Sequence, residues 1–237
     1  MTDKIRKIFA EVAPTYELAN HVLTIGLDVF WRKKAARLAS LAGGRRWLDV
    51  CSGTGDMARA LCRLAPSGVL VATVDFSLPM LHRSIRKNSR GKRGQPAAAA
   101  LPRLPFADGT FDLVTISFAT RNINTGRKPL LASFGEFYRV LKPGGRFVNL
   151  ETSQPANAFI RALFHLYIKA TVRTVGRMIS GSRAGYAYLA ATIPRFFDAP
   201  SLAALLREAG FGSVKFQMSL LGAAAIHLAV KPRQSPD

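Results

Sequence analysis

The stretch Trp47-Leu48-Asp49-Val50-Cys51-Ser52-Gly53-Thr54-Gly55-Asp56-Met57-Ala58 most narrows what this chain can fold into. It reads as a short buried strand, a glycine-bearing turn and the start of a helix. Leu48, Val50 and Cys51 supply the strand character. Gly53 and Gly55 permit a sharp turn and let bare backbone approach a ligand. Asp56 opens a helical run to Leu64, where its carboxylate suits the positive end of the helix dipole. The next apolar run, 69–74, is followed by Asp75, an acid placed to accept hydrogen bonds from ribose hydroxyls. Gly53-x-Gly55-x-x-Ala58 matches the dinucleotide fingerprint, whose last position accepts Ala. The pattern points to an adenosine-containing ligand at the carboxyl end of a parallel sheet. It does not choose among such ligands, and a ligand-free tight turn carries the same spacing.

The 237 residues suffice for one α/β domain with additions. We read residues 1–237 as that single domain, with a helical lid over 1–44 and a basic amphipathic insertion over 156–192. The net charge of +20 calls for an anionic partner such as a membrane, a nucleic acid or an acidic protein, unless the arginines only line solvated faces. Cys51 and Cys62 fit no metal spacing and no disulfide framework, and read as small buried residues in a reducing compartment. No metal is expected. The first residues lack a signal-peptide hydrophobic region, and no apolar run approaches the ~18 residues that span a bilayer. The expectation is a cytoplasmic protein, soluble or lying on the inner face of the cell membrane.

Ile5, Ile8, Phe9 and Val12 repeat at helical spacing up to Pro14. Further helices are expected over 16–24 and 28–41, the latter opened by Asp28. They precede the first strand and are free to cover the strand ends, where ligands bind in open α/β sheets. A helix from 77 to about 90 follows Asp75. From Phe76 to Ala107 there is no acid, and seven basic residues. Strands are expected at 97–101, 111–117 and 146–151, with a helix over 128–141 stopped by Pro143-Gly144-Gly145. A helix over 201–209 precedes two last runs, 213–220 and 224–231, that read as an antiparallel hairpin.

Beyond the glycine turn, several stretches resemble the quinone-biosynthesis C-methyltransferases over nearly the whole chain. They are Phe9-x-x-Val12-Ala13-Pro14-x-Tyr16-x-Leu18-x-Asn20, Asp75-Phe76-Ser77-x-x-Met80-Leu81, Leu104-Pro105-Phe106-Ala107-Asp108-Gly109-x-Phe111-Asp112, Thr115 to Asn122, and Tyr138 to Gly145. Ile179-Ser180-Gly181, Tyr186-x-Tyr188-Leu189 and Ala225-Ile226-His227 continue the likeness. Glu151-Thr152-Ser153-Gln154-Pro155 is more similar to the menaquinone branch than to the ubiquinone branch. The resemblance implies a class I S-adenosylmethionine-dependent methyltransferase fold: Rossmann-like, a mostly parallel seven-stranded sheet with a terminal antiparallel hairpin, plus the N-terminal helical lid. It implies methylation of a prenylated quinol, demethylmenaquinol first, with ubiquinone, plastoquinone or phylloquinone precursors as alternatives.

Family roles transfer to matching positions. Thr54, Asp75 and Ser117 match contacts to S-adenosylmethionine. Asp49, Gly53, Gly55 and Phe76 belong to the same cofactor site. The family's polar adenine-binding pair is Ala100-Leu101 here, so only backbone could bond adenine. The reaction needs a ring hydroxyl to lose its proton, so that charge reaches the adjacent carbon, and donor and acceptor held ~3–3.5 Å apart. Arg121 and Asn122 are the expected catalytic pair, orienting the quinol, stabilising the oxyanion and positioning a water as proton acceptor. Arg itself is too basic for an ordinary base. Tyr16 would complete the hydrogen bonding from the lid. His21, His165 and His227 are reserve bases.

The substrate's apolar tail makes residues 159–179 notable. Arg161, His165, Lys169, Arg173 and Arg177 recur every four residues, with Ile160, Leu163, Phe164, Tyr167, Ile168, Val172, Val175 and Ile179 expected opposite them. Such a helix suits an anionic bilayer surface, or packs on its own domain. Rival classes are a nicotinamide dehydrogenase, a nucleic-acid methyltransferase and a non-catalytic scaffold. The strand inventory argues against the first. The lack of exposed aromatics for base stacking argues against nucleic acid. Oligomeric state stays open, a homodimer included.

Overall fold

The structure is a computed structural model describing residues 11–88, 94–180 and 183–233. Seven strands form one sheet in the order β3-β2-β1-β4-β5-β7-β6. They are β1 Arg46–Val50, β2 Leu70–Asp75, β3 Gly94–Ala98, β4 Phe111–Ser117, β5 Leu141–Thr152, β6 Ser213–Ser219 and β7 Ala224–Val230. The first five are parallel, and β7 runs antiparallel to both β5 and β6. The expected sheet, hairpin included, is the one observed. Strand order reverses direction between β1 and β4, the switch point where a crevice opens at the carboxyl ends of the strands.

Alternation along the central strands sorts side chains to two faces. Leu48, Val114 and Phe147 join one core, under helices α6 Arg127–Val140 and α9 Ala199–Glu208. Trp47, Leu113 and Val148 join the other, under α2 Leu27–Ser40 and α3 Asp56–Leu64. Phe147 stacks between Phe137 at 5.3 Å and Phe211 at 5.5 Å. Burying each such ring contributes about 1.5–3 kcal/mol. Gly44 is required twice over: its φ is +71°, and a Cβ there would lie 2.1 Å from Asp112 Cγ, whose carboxylate holds the Arg45 and Arg46 amides at 2.9 Å.

A third apolar cluster caps the strand ends. Helix α1 Tyr16–Leu23 packs there with α7 Ala158–Ser180 and α8 Arg183–Thr192. Ala19, Ile168, Val172 and Tyr186 are among its buried members. The N-terminal helix α1 and helices α7 and α8 thus share one core. The helix expected from 77 to about 90 is α4 Leu78–Asn88, while the first expected helix lies mostly outside the described residues, as do Gly181 and residues 89–93.

Four boundaries differ from expectation for physical reasons. β3 is 94–98 rather than 97–101: it is an edge strand, paired only with β2, so Pro96 is tolerated inside it. β5 begins at Leu141 and runs through Pro143-Gly144-Gly145, the register shift between Phe111 and Leu113 absorbing the irregularity. α9 begins at Ala199, because Asp198 caps it by accepting from Ser201 N at 2.8 Å, with Pro200 inside the first turn. α2 starts after a left-handed Gly26, and Asp28 is a buried ion-pair partner instead of a cap. Both cysteines are free and half-buried, not fully buried.

Candidate active site

The carboxyl ends of β1, β2 and β4 open into a cleft enclosing about 560 Å³, solvent at its mouth included. Its floor is the expected turn. Cys51, Gly53 and Gly55 have φ of +51°, +54° and +82°. The turn is tied by Ser52 N to Val74 O at 3.0 Å and Gly55 N to Ser52 O at 2.9 Å. A Cβ at Gly53 would meet nothing within 4 Å, so backbone conformation, not packing, excludes a side chain there. Cys51 holds its left-handed conformation without that freedom, a local strain of the kind stored at working sites. Burial pushes its thiol pKa up, which makes it a poor nucleophile.

Three acids organise the turn. Asp75 Oδ2 accepts from Gly53 N and its Oδ1 from Ser77 N, both at 2.8 Å. These contacts lock the carboxylate at the cleft edge, where burial raises its pKa against the amide bonds. Asp49 is wholly buried behind the turn. Its Oδ1 accepts from the Thr115 hydroxyl at 2.7 Å, and its Oδ2 has no partner among the described residues. Burial lifts its pKa to about 7, against the pull of Thr115 and Arg32. Asp56 accepts from the Thr54 hydroxyl at 2.9 Å and pairs with Lys87, which also reaches Glu17 of the lid at 2.7 Å. Burial opposes its ionisation, but Arg32, Lys87 and Thr54 outweigh that and hold its pKa low.

On the far wall β4 ends at Ser117, and a short helix, α5 Thr120–Ile123, carries the expected pair. Its orientation comes from β5: the Thr120 hydroxyl bonds Asn149 Oδ1, and Arg121 N donates to Glu151 Oε2 at 3.1 Å. Arg121 is 7% exposed; its Nη1 donates to Thr192 Oγ1 at 3.3 Å, and its buried Nε has no partner among the described residues. Asn122 lines the cleft with a buried, unpartnered Oδ1. Tyr16 reaches the same cleft from the lid, its hydroxyl pKa raised by burial and lowered by Arg32, Asn20 and Arg121.

Gly53, Thr54, Asp75, Phe76, Ser117, Asn122 and Tyr16 therefore meet at one cleft. Asp49, Gly55 and Arg121 are not part of its lining. Ala100 and Leu101 also stay outside it, and Leu101 packs on the sheet core. None of the three histidines lines it. His21 pairs with Asp28, His165 with Gln154, and His227 Nε2 with Ala199 O. Sequence reading missed Arg32, Met57, Met80 and Phe118 in the lining, and the buried Glu151 behind Arg121. Glu151 stood out only as a branch marker. The Arg32 position carried no local signal, because only the lid's docking brings it there.

The family described as ubiE/COQ5 methyltransferase matches residues 1–231. The chain belongs to the ubiE/COQ5 methyltransferase family. It is 39% identical over 226 residues to a demethylmenaquinone methyltransferase of Thermus thermophilus, spanning 95% of this chain and 100% of that one. It is 37% identical to the ubiquinone/menaquinone biosynthesis C-methyltransferase UbiE of Desulfotalea psychrophila, over 96% of this chain and 90% of that one. The fold is also that of an S-adenosylmethionine-dependent methyltransferase from Aquifex aeolicus, with a TM-score of 0.57 at 15% identity, covering 83% of this chain and 88% of that one. The apo form of the methyltransferase SibL gives a TM-score of 0.59 at 19% identity, covering 84% and 56%.

The methyl donor of this methyltransferase is S-adenosylmethionine, and the cleft fits it. Asp75 offers a fixed carboxylate to a ribose, Gly53 leaves open space above the turn, and the unpartnered Asp49 Oδ2 lies behind it. β3 leads directly to Ala100, since Ala99 N bonds Asp75 O at 3.1 Å. Ala100→Asp is expected to tighten S-adenosylhomocysteine binding roughly 3- to 10-fold by adding one charge-assisted bond to the adenine side. Calorimetry checks this; unchanged or weaker affinity would place the adenine elsewhere.

Proposed function

We propose that this methyltransferase converts demethylmenaquinol to menaquinol, methylating a ring carbon of the reduced, prenylated naphthoquinone. The observation that carries it is the pairing, on α5, of a buried guanidinium Nε and a buried amide Oδ1, both without partners, beside the cofactor cleft. Bound S-adenosylmethionine supplies an electrophilic methyl group. Asn122 Oδ1 is free to accept a hydrogen bond from a ring hydroxyl. Arg121 places positive charge where the phenolate oxygen develops, and low-dielectric burial strengthens that attraction. Tyr16, whose hydroxyl stays protonated, donates from the lid. The hydroxyl proton leaves to water held by the pair; as the new C–C bond forms the methyl–sulfur bond breaks, releasing S-adenosylhomocysteine, and the ring carbon then gives up its hydrogen as a proton while the ring oxygen is reprotonated, so that one proton is released per methyl transferred. The relatives named for demethylmenaquinone methylation support this choice of substrate. A mass spectrum of quinones from cells lacking the protein should show accumulated demethylmenaquinone. A normal menaquinone pool would refute the assignment.

The tail of such a substrate lives in a bilayer, and we propose that the lid and insertion dock on an anionic membrane surface at the cell's inner face. No single helix among the described residues is long and apolar enough to cross a membrane. The amphipathic phase of α7 differs from expectation. Arg161 and His165 are half-buried, bonded to Pro155 O and Gln154, while Phe159, Leu163 and Leu166 face outward at 72%, 50% and 60% exposure. A four-residue repeat advances about 40° per step on a helix, so the basic positions drift around it rather than holding one face. The side chains of Arg173 and Arg177 lie outside the described residues. The outward apolar stripe, joined by Leu18, Val22 and Ile25 on the lid side, would insert while basic residues meet the headgroups. Sedimentation with anionic liposomes is expected to bring the protein down at low salt and release part of it at high salt. No binding at low salt would remove the idea.

A further inference from the structure

Arg32 projects from α2 into the cofactor cleft, and among the described residues lining that cleft it is the single cation. It is 7% exposed and held on two sides. Its Nη1 pairs with Asp28 Oδ2, and its guanidinium lies 5.0 Å from the centre of the Phe118 ring. Asp28 is itself fixed by His21 Nδ1 and the Thr24 hydroxyl, each at 2.9 Å, so the anchor is rigid. Nη1 is the only side-chain nitrogen of Arg32 with a hydrogen-bond partner among the described residues, and Nε and Nη2 are left over. A planar guanidinium with an unused edge suits a carboxylate.

The methyl donor brings one carboxylate, one ammonium and one sulfonium. A carboxylate enclosed without a cation is strongly unfavourable. Lys87 is spent on Asp56 and Glu17. Arg121 does not line the cleft, and its guanidinium is bonded to Thr192. Arg32 remains, and its charge is felt at Asp49 and Asp56, the acids beneath the turn. We propose that Arg32 binds the α-carboxylate of the cofactor's methionine end, with Asp28 as the residue that positions it. This rests on S-adenosylmethionine as the cofactor. It also makes the cofactor a contact of the N-terminal helices, since Arg32 belongs to α2 and its anchor reaches His21 of α1.

The test compares two ligands by calorimetry: S-adenosylhomocysteine, and 5′-methylthioadenosine, which keeps the nucleoside thioether but lacks the amino acid. Arg32→Ala is expected to weaken S-adenosylhomocysteine roughly 10- to 150-fold while leaving methylthioadenosine within about 2-fold. Arg32→Lys should recover part of the loss. If Arg32→Ala does not fold, Arg32→Met keeps the apolar stem over Phe118 and carries the same comparison. Equal weakening of both ligands, or no change in either, overturns the proposal. A wild-type protein that binds neither ligand overturns the cofactor assignment beneath it, and the proposal with it.

Discussion

Arg121→Ala is expected to lower turnover by about 10²- to 10³-fold, the range seen when one oxyanion donor is removed, while S-adenosylhomocysteine affinity stays within about 3-fold. The separation follows from position. Arg121 sits on α5 beside Asn122, and among the described residues its guanidinium bonds only Thr192, so none of the residues proposed for the cofactor depends on it. Its backbone amide, not its side chain, meets Glu151, so α5 keeps its anchor in the variant. Pre-steady-state turnover and calorimetry, run on the same preparation, read the two quantities. Wild-type turnover would remove Arg121 from the mechanism. Equal losses of turnover and cofactor affinity would make it a structural residue.

Asp49→Asn is expected to stabilise the cofactor-free protein at pH 8 by up to about 4 kcal/mol, or on the order of 10 °C in Tm, while weakening S-adenosylhomocysteine binding about tenfold or more. The pKa of Asp49 is raised by burial from 3.8 to about 7. A folded-state pKa above the unfolded value means the fold prefers the protonated acid. That preference is fully present below about pH 4 and is lost as pH rises to about 7. Above it, the fold holds a buried carboxylate whose Oδ2 has no partner. Asparagine keeps the acceptor for Thr115 and removes the charge. The stabilisation should therefore shrink as pH falls and vanish near pH 4. Wild-type cofactor affinity should also fall as pH drops through about 7, because protonation removes a buried negative charge behind the turn that would attract a cationic ligand. Thermal melts of both proteins across pH 4–8 check this. Superimposable Tm profiles would show that Asp49 is not held charged at a cost.

Asp49 and Arg32 illustrate two degrees of legibility. The acid before the glycine turn could be named from sequence, because strand, turn and helix occupy consecutive residues and each obeys a local rule. The strands β1, β2 and β4 were legible for the same reason: runs such as Leu113-Val114-Thr115-Ile116 are buried on both faces and have no competing pattern. Edge strand β3 was misplaced because a Gly-Gln-Pro segment at a sheet margin carries almost no apolar signal. The faces of α7 were misassigned because its apolar residues serve two directions, inward to Ile168 and Val172 and outward to Phe159 and Leu166. Ala100 and Leu101 were aligned to a family role that the cleft lining does not include.

By itself the chain's order of residues determined the doubly wound sheet, the turn from Cys51 to Gly55 and the acid at Asp75, since these depend on backbone conformations and alternation within a few residues. Only the folded molecule decided that Arg32 lines the same cleft as Tyr16 and Asn122 and that Glu151 stands behind Arg121. Those meetings join segments far apart in the chain, and they are selected by the burial of a shared apolar cap, which no single segment encodes.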